Sequence, residues 1–229
     1  MALIRYAEGQ QRSGSIGATV HSHNRFGQYI RARSVPVNPN TDRQVAMRNA
    51  TRSLTILWQN TLTQAQRDAW DVYADNLTWQ NKFGEVVHLT GLNHYLRSNA
   101  QLVALGFGRI DAAPGIFNLA AAELNLGCSA SEATQQLTFT FDDTETWANE
   151  AGAFQHFFVG LPRNPSIKFF NGPFRYIVSV AGVTPAVSPI LATTPFPFVA
   201  GQRMWVRSRI MRADGRLSEF AQLNFLTAA

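Results

Sequence analysis

The chain has 229 residues, 45% of them apolar and 11% aromatic, which excludes a disordered chain and allows one large domain or two small ones. Charged residues make up 15%, below the ~25% of ordinary soluble domains, and the net charge of +5 is carried unevenly: residues 1–52 hold eight arginines against Glu8 and Asp42, a balance of +6, while the rest sums to −1. The single cysteine, Cys128, excludes a disulfide within one chain and any cysteine-based zinc site, and is expected as a small half-buried side chain.

A surface poor in charge and rich in amides and aromatics suits lasting contact with other subunits. The cations are eighteen arginines and only Lys82 and Lys168, a bias toward fixed bidentate or stacked contacts; a genome rich in G and C gives the same ratio with no physical meaning. The start Met-Ala-Leu-Ile-Arg lacks the basic and apolar regions of a signal peptide, so synthesis in the cytoplasm is expected.

In chain order, residues 13–35 come first, with Gly14, Gly17 and Gly27 and alternation around residues 18–22 and 28–33. They predict a β-hairpin whose loop is His23-Asn24-Arg25. Its two-residue period puts Tyr29, Arg31 and Arg33 on one face, a basic stripe, and Gln28, Ile30 and Ala32 on the other. Pro36 and Pro39 keep the chain extended. Thr41-Asp42-Arg43-Gln44 fits a capping box and opens a helix carrying Leu54, Leu57 and Trp58. Thr63-Gln64-Ala65-Gln66 repeats the cap and opens a second helix with Ala69, Trp70, Tyr73 and Leu77. A third helix is expected over 92–105, ending at Gly106. Three short helices with a shared apolar seam make a small bundle.

After Gly108 the period changes to two. Strands are expected around Leu137-Thr138-Phe139-Thr140-Phe141 and over 154–160, 176–181, 204–211 and 220–226, with a turn at Asp214-Gly215. This spacing predicts a sandwich of the immunoglobulin or fibronectin type III class. The uncharged run 177–202 is long enough to span a bilayer, but Pro185, Pro189, Pro195 and Pro197 break any helix there; it is expected as an extended loop flanked by strands, with no membrane insertion. The fold expected is therefore α+β: an extended Gly/Arg-rich arm or hairpin (1–40), a helical domain (41–108) and a β-sandwich (109–229).

No constellation reads as catalytic. Gly14-Ser15-Ile16-Gly17 is too short for a phosphate-cradling loop, and no Gly-x-Ser-x-Gly occurs. His21 and His23 share a strand face but lack a third ligand. Asp142, Asp143, Glu145 and Glu150 lack the spacing of a calcium loop and are expected in a solvated loop; His88 and His94 are expected to cap or pack. No metal and no cofactor is expected. Trp58 and Trp70 fall on helix seams and belong to the core, whereas Trp79 lies beyond a helix end and is freer to meet a partner.

The segment Ser13-Gly14-x-Ile16-Gly17 through Arg31 and Arg33, then Pro36-Val37-Asn38-Pro39-Asn40-Thr41, Gln44, Arg48, Trp58, Leu62-Thr63, Gln66-Arg67 and Ala69-Trp70, resembles a family of bacterial and phage structural-type proteins. Their shared phrase is an NPNT or NPRT turn, a helix ending in Trp and an LTxxQRxAW helix, followed by Gly-Leu-Asn-x-Tyr, here Gly91 to Tyr95. The resemblance covers roughly the first hundred residues, as counted along the sequence, and implies a non-enzymatic virion component on a capsid or tail, made in the host bacterium. The expected assembly surface is the arm, with Arg25, Tyr29, Arg31, Arg33, Asn38 and Asn40, and the expected partners are further copies of the chain and other virion proteins. Two alternatives predict other surfaces. A nucleic-acid-associated protein places Arg25, Arg31, Arg33, Arg43, Arg48 and Arg52 on one exposed face; a glycan-binding adhesion module exposes an aromatic shelf near Trp79, Trp147 or Trp205.

Overall fold

The computed structural model describes residues 2–3, 13–24, 27–35, 37–80, 85–182 and 187–228. It is an α+β chain with three helices and several antiparallel sheets, and it divides into two compact units, Met1–Gln44 and Val45–Ala229.

The first unit holds β1 (Ala2–Leu3), β2 (Gly14–Ile16), β3 (Thr19–Asn24) and β4 (Gly27–Ala32). They form one antiparallel sheet in the order β1-β4-β3-β2. The expected hairpin is its centre, with Val20 opposite Arg31 and Ser22 opposite Tyr29. The ladder continues to Asn24 opposite Gly27, so Asn24 is a strand residue; Arg25 lies outside the described residues. What pattern reading missed is the addition of a strand at each side, which rests on backbone pairing and leaves little mark on composition. Gly17 turns the chain between β2 and β3 with φ +57, a region costly for residues with a Cβ. None of the side chains described in this unit is buried.

In the second unit come α1 (Asp42–Asn60), whose first turn belongs to the preceding unit, α2 (Gln64–Asp75), the ribbon β5 (Trp79–Gln80) with β6 (Val86–Val87), and α3 (Gly91–Ala104). Thr41 and Gln44 exchange their capping bonds, N–H to Oε1 at 3.3 Å and N–H to Oγ1 at 3.4 Å. Thr63 and Gln66 do the same at 2.9 and 3.3 Å, so both predicted starts hold. Thr90 caps α3. The helices share one apolar cluster of Leu54, Leu62, Trp70, Tyr73, Leu77 and Tyr95. Trp70 and Tyr95 meet edge to face at 5.7 Å, a favoured ring geometry.

Seven strands follow: β7 (Gly127–Ser131), β8 (Gln136–Thr140), β9 (Phe154–Gly160), β10 (Phe174–Ala181), β11 (Ile190–Thr193), β12 (Arg203–Met211) and β13 (Ala221–Leu226). They make two sheets, β11-β8-β7 and β10-β9-β12-β13. Leu137 and Phe139 of the first and Phe157, Val159, Met204, Val206 and Ile210 of the second lie in one buried cluster, so the alternation marks inward faces as expected. A smaller cluster of Leu102, Met211 and Leu217, with Ile110 and Phe154 against it, joins α3 to the back of the larger sheet.

Two strands depart from the expectation. The 177–202 segment is not a plain loop: β10 runs into it as far as Ala181, and β11 forms between Pro189 and Pro195 by pairing Ile190–Thr193 with Phe139–Gln136. As an edge strand β11 donates on one side only, which is where nearby prolines are tolerated. β7 is built from Gly, Cys, Ser and Ala, whose small side chains give no periodic signal, and it is held by its ladder to β8.

Candidate functional site

The expected assembly residues other than Arg25, which lies outside the described residues, occupy the small sheet and the link after it. Tyr29 is half-buried and Arg31 exposed on the sheet face they share with Val20 and Ser22. Arg33 is exposed just past β4 and its N–H closes the sheet on the Ala18 carbonyl at 2.8 Å. His21 and His23 stand on the opposite face, across from Ile30 and Gln28. Among the described residues no three His, Cys, Asp or Glu side chains come together as metal ligands. Asn38 and Asn40 are exposed and serve a local turn: the Asn38 Oδ1 accepts the Asn40 N–H at 3.2 Å, and Asn40 has φ +46, a conformation asparagine tolerates.

The Asn-Pro-Asn-Thr turn and the Leu-Thr-x-x-Gln-Arg-x-Ala-Trp helix have a structural explanation in this chain. Arg67 Nη1 donates to the carbonyls of Trp58 at 3.0 Å and Leu62 at 2.7 Å, satisfying acceptors that the end of α1 leaves open. Trp70 is buried and its Nε1 donates to the Asp111 carbonyl at 3.0 Å. At Gly91 a Cβ would sit 2.7 Å from the Asp71 amide nitrogen, so the glycine lets α3 approach α2. The Asn-Pro-Asn-Thr turn delivers the chain to the cap of α1. These residues build a helical corner rather than a reactive site.

The aromatic shelf is not formed at any of its three expected positions. Trp147 and Trp205 are buried. Trp79 is half-buried beneath the Arg97 guanidinium, 4.6 Å above its ring, and its Nε1 donates to His94 Nε2 at 3.4 Å. His94 is itself buried, and burial first, then the neighbouring Arg97 charge, lowers its pKa to about 4, so the ring is neutral near pH 7. The acidic loop is also more tied than expected. Asp142 accepts the Thr144 N–H at 2.9 Å and hydroxyl at 2.6 Å, and Glu150 binds Arg212 and the Ala213 N–H. Cys128 is half-buried, with its thiol pKa raised by burial, so it is a poor nucleophile.

The six cations of the nucleic-acid expectation are divided. Arg31 and Arg33 belong to the first unit and Arg48 and Arg52 to the second, all exposed, whereas Arg43 is half-buried. Arg25 lies outside the described residues.

A different set of arginines gathers in the second unit, and sequence reading did not find it. On β12 the residues Trp205, Arg207 and Arg209 alternate with the core residues Met204, Val206 and Ile210 and so stand on the outer face of the sheet. Arg207 lies 4.3 Å from the Phe174 ring centre and 4.1 Å from that of Phe220, and Arg209 lies 3.7 Å from Phe220. Arg209 and Arg97 line a cleft of about 180 Å³ between α3 and this face, together with Leu96, Ala100, Phe158 and Leu217. Arg97 Nη2, Arg207 Nε and Arg209 Nε are buried and meet no hydrogen-bond partner. The ion pairs among the described residues are Arg109–Asp111, Arg212–Glu150 and Arg216–Asp214, and none includes these three. Burial, then the Arg97 charge, lowers the Arg209 pKa to about 10, with Glu219 opposing.

No family model matches the chain, and no curated protein matches it. Among solved structures it resembles a family 76 glycoside hydrolase from a bovine Bacteroides thetaiotaomicron strain, at 14% identity and a TM-score of 0.34, over 48% of this chain and 21% of that one. The chain thus spans a minor part of the hydrolase, and a likeness at this level says nothing of activity. No helix among the described residues is long and apolar enough to cross a membrane.

Proposed function

We propose that this chain is a non-enzymatic structural subunit of a phage particle, capsid-associated or in the tail, that assembles through its N-terminal segment with further copies of itself and other virion proteins. The observation that carries the reading is the composition of the Met1–Gln44 unit: a four-stranded sheet with no buried side chain among those described. Isolated small sheets without a buried face are marginal in water, and an arm of this kind gains its order from a neighbour. Tyr29, Arg31 and Arg33 supply contacts of the type interfaces favour, and the family resemblance of the Asn38-Pro39-Asn40-Thr41 corner points the same way.

For the outer part of the subunit we infer an immunoglobulin or fibronectin type III sandwich over 109–229. In support, the central strand β8 pairs with β7 and β11 while β9 pairs with β12 and β12 with β13, the strand exchange between sheets that Greek-key sandwiches use. In a particle, the helical segment 41–108 then links this body to the arm.

The test is the mass of the purified chain by light scattering at low and high salt, beside a truncation that begins at Val37. A defined oligomer that the truncation dissolves is the expected result. Monomers of both at every salt overturn assembly through the arm. Binding of the intact chain to duplex DNA that weakens steeply with salt supports instead a nucleic-acid role for exposed Arg31 and Arg33.

A further inference from the structure

We propose that the cleft between α3 and the outer face of the β9–β12 sheet binds a carboxylate carried on an apolar body, with its oxygens on the guanidinium groups of Arg97 and Arg209 and its hydrocarbon against Leu96, Ala100, Phe158 and Leu217. The inference is independent of the assembly role and rests on donors that the fold has buried without acceptors.

Buried polar hydrogens are almost always bonded, and those that are not need an explanation. Here Arg97 Nη2 and Arg209 Nε, with Gln101 Nε2 beside them in the same cleft, are buried without a partner. The cause is geometric. The guanidinium carbon of Arg97 lies over the Trp79 ring, 4.6 Å from its centre, and that of Arg209 over the Phe220 ring at 3.7 Å. Stacking uses the face of a guanidinium and fixes its plane, while its N–H bonds point outward from the edge. Two such edges are thus held in place at one cleft. An extra cation, Arg207, lies over the same Phe220 ring, 4.1 Å from its centre. Glu219, whose charge acts on both Arg97 and Arg209, is exposed and in no ion pair with either among the described residues. Glu219 offsets this positive charge only through space, because Arg97 and Arg209 have no ion-pair partner among the described residues, and a buried cation without a close counter-ion is costly.

The lining selects among anions. Five apolar residues, Met47, Leu96, Ala100, Phe158 and Leu217, share the cleft with two arginines, one glutamine and His156, whose Nδ1 meets the Ser179 hydroxyl at 2.6 Å. A fully hydrated dianion such as inorganic phosphate loses more water here than two guanidinium edges restore. A planar carboxylate matches the guanidinium fork, and a short hydrocarbon covers the apolar wall. A free organic acid and the terminal carboxylate of a neighbouring polypeptide both have this chemistry.

Isothermal titration of the full chain with hexanoate, N-acetyl-leucine, N-acetyl-leucinamide and inorganic phosphate tests the site. Hexanoate and N-acetyl-leucine are expected to bind, the amide and phosphate at least about tenfold more weakly. Tighter binding of N-acetyl-leucine than hexanoate points to a chain terminus as the source, and the reverse order to a free acid. Arg209→Met is expected to lose about tenfold or more in hexanoate affinity while the melting temperature of the ligand-free chain stays level or rises, since an unpaired buried charge is removed. Arg97→Met gives a second, independent loss of affinity, and Arg175→Met, whose exposed guanidinium lies over Phe196, leaves it unchanged. Equal binding of phosphate, no binding of either carboxylate, or unaltered affinity in both cleft variants overturns the proposal. So does a fall in the ligand-free melting temperature of Arg209→Met with affinity intact, which makes the arginines purely structural.

Discussion

The N-terminal sheet and the two-sheet body are both antiparallel β-structure, yet they are stabilised in different ways. In the body, alternate residues of seven strands converge on one cluster, and Leu137, Phe139, Phe157 and Val206 are fully buried. In the N-terminal sheet the same alternation places Tyr29 and Arg31 on one face and Ile30 on the other, and none of the described side chains on either face is buried. Hydrogen bonds contribute only about 1 kcal/mol each in net terms, so a ladder without apolar burial holds weakly. The difference teaches that period two specifies a strand, while a second layer of the right sequence is what makes the strand stable.

The comparison is sharpest in paired substitutions. Phe157→Ala empties the centre of the body and is expected to lower unfolding free energy by about 3–5 kcal/mol; Tyr29→Ala is expected to change it by less than about 0.5 kcal/mol, read by urea denaturation. A loss near that of Phe157 at Tyr29 breaks the comparison and shows that the N-terminal sheet contributes to the fold of the free chain. The next effect is one of pH and belongs to the helical segment. The folded pKa of His94, about 4, lies below its ordinary value of 6.5. On acidification the unfolded chain takes the proton first, so the stability due to neutral His94 is complete above pH 6.5 and is lost as pH falls through about 4. At ~1.4 kcal/mol per unit the loss is about 3 kcal/mol at most. His94→Gln, which retains an acceptor for Trp79 and does not titrate, is expected to flatten the stability difference between pH 7 and pH 4 by that amount; an unchanged slope removes His94 from the acid response.

Gly91→Ala is a smaller change of the same kind as Phe157→Ala but in the opposite direction. The added methyl meets the backbone of Asp71 and Trp70 at 2.7 and 2.8 Å, and about 1–3 kcal/mol of destabilisation is expected, with a lower denaturation midpoint as the readout. Gln66→Ala removes half of one capping box and is expected to cost about 0.5–1 kcal/mol. If Gln66→Ala costs as much as Gly91→Ala, the helical corner depends on its cap more than on the close approach of α2 and α3.

Local chemistry was legible from the residues. Both Thr-x-x-Gln caps, the third helix and the strands at 154–160 and 204–211 stand where pattern reading places them. Pairing was less legible. β7 has no large side chain and β11 lies among prolines, so each exists only because β8 offers it a ladder. The arginine cleft was not legible at all. Arg97 and Arg209 are far apart in sequence, and an alternation that reads Trp205, Arg207, Arg209 against Met204, Val206, Ile210 does not say that its outer face is covered too. Phe170 stacks on Trp205 at 5.1 Å, the centre of the Phe220 ring lies within 4.1 Å of both the Arg207 and Arg209 guanidinium carbons, and Leu102 of α3 joins Met211.

By itself the sequence determined the three helices and both Thr-x-x-Gln caps, the central N-terminal hairpin, the uneven charge and the apolar face of strands such as 137–141 and 204–211, because these depend on interactions within a few residues. The tertiary structure alone decided that the N-terminal sheet has no buried side chain among those described, that Trp147 and Trp205 are buried and Trp79 half-buried, and that Arg97 of α3 and Arg207 and Arg209 of β12 lie over aromatic rings with no ion pair among the described residues. These are outcomes of long-range packing, where the free energy of a side chain is set by neighbours that composition and period do not name.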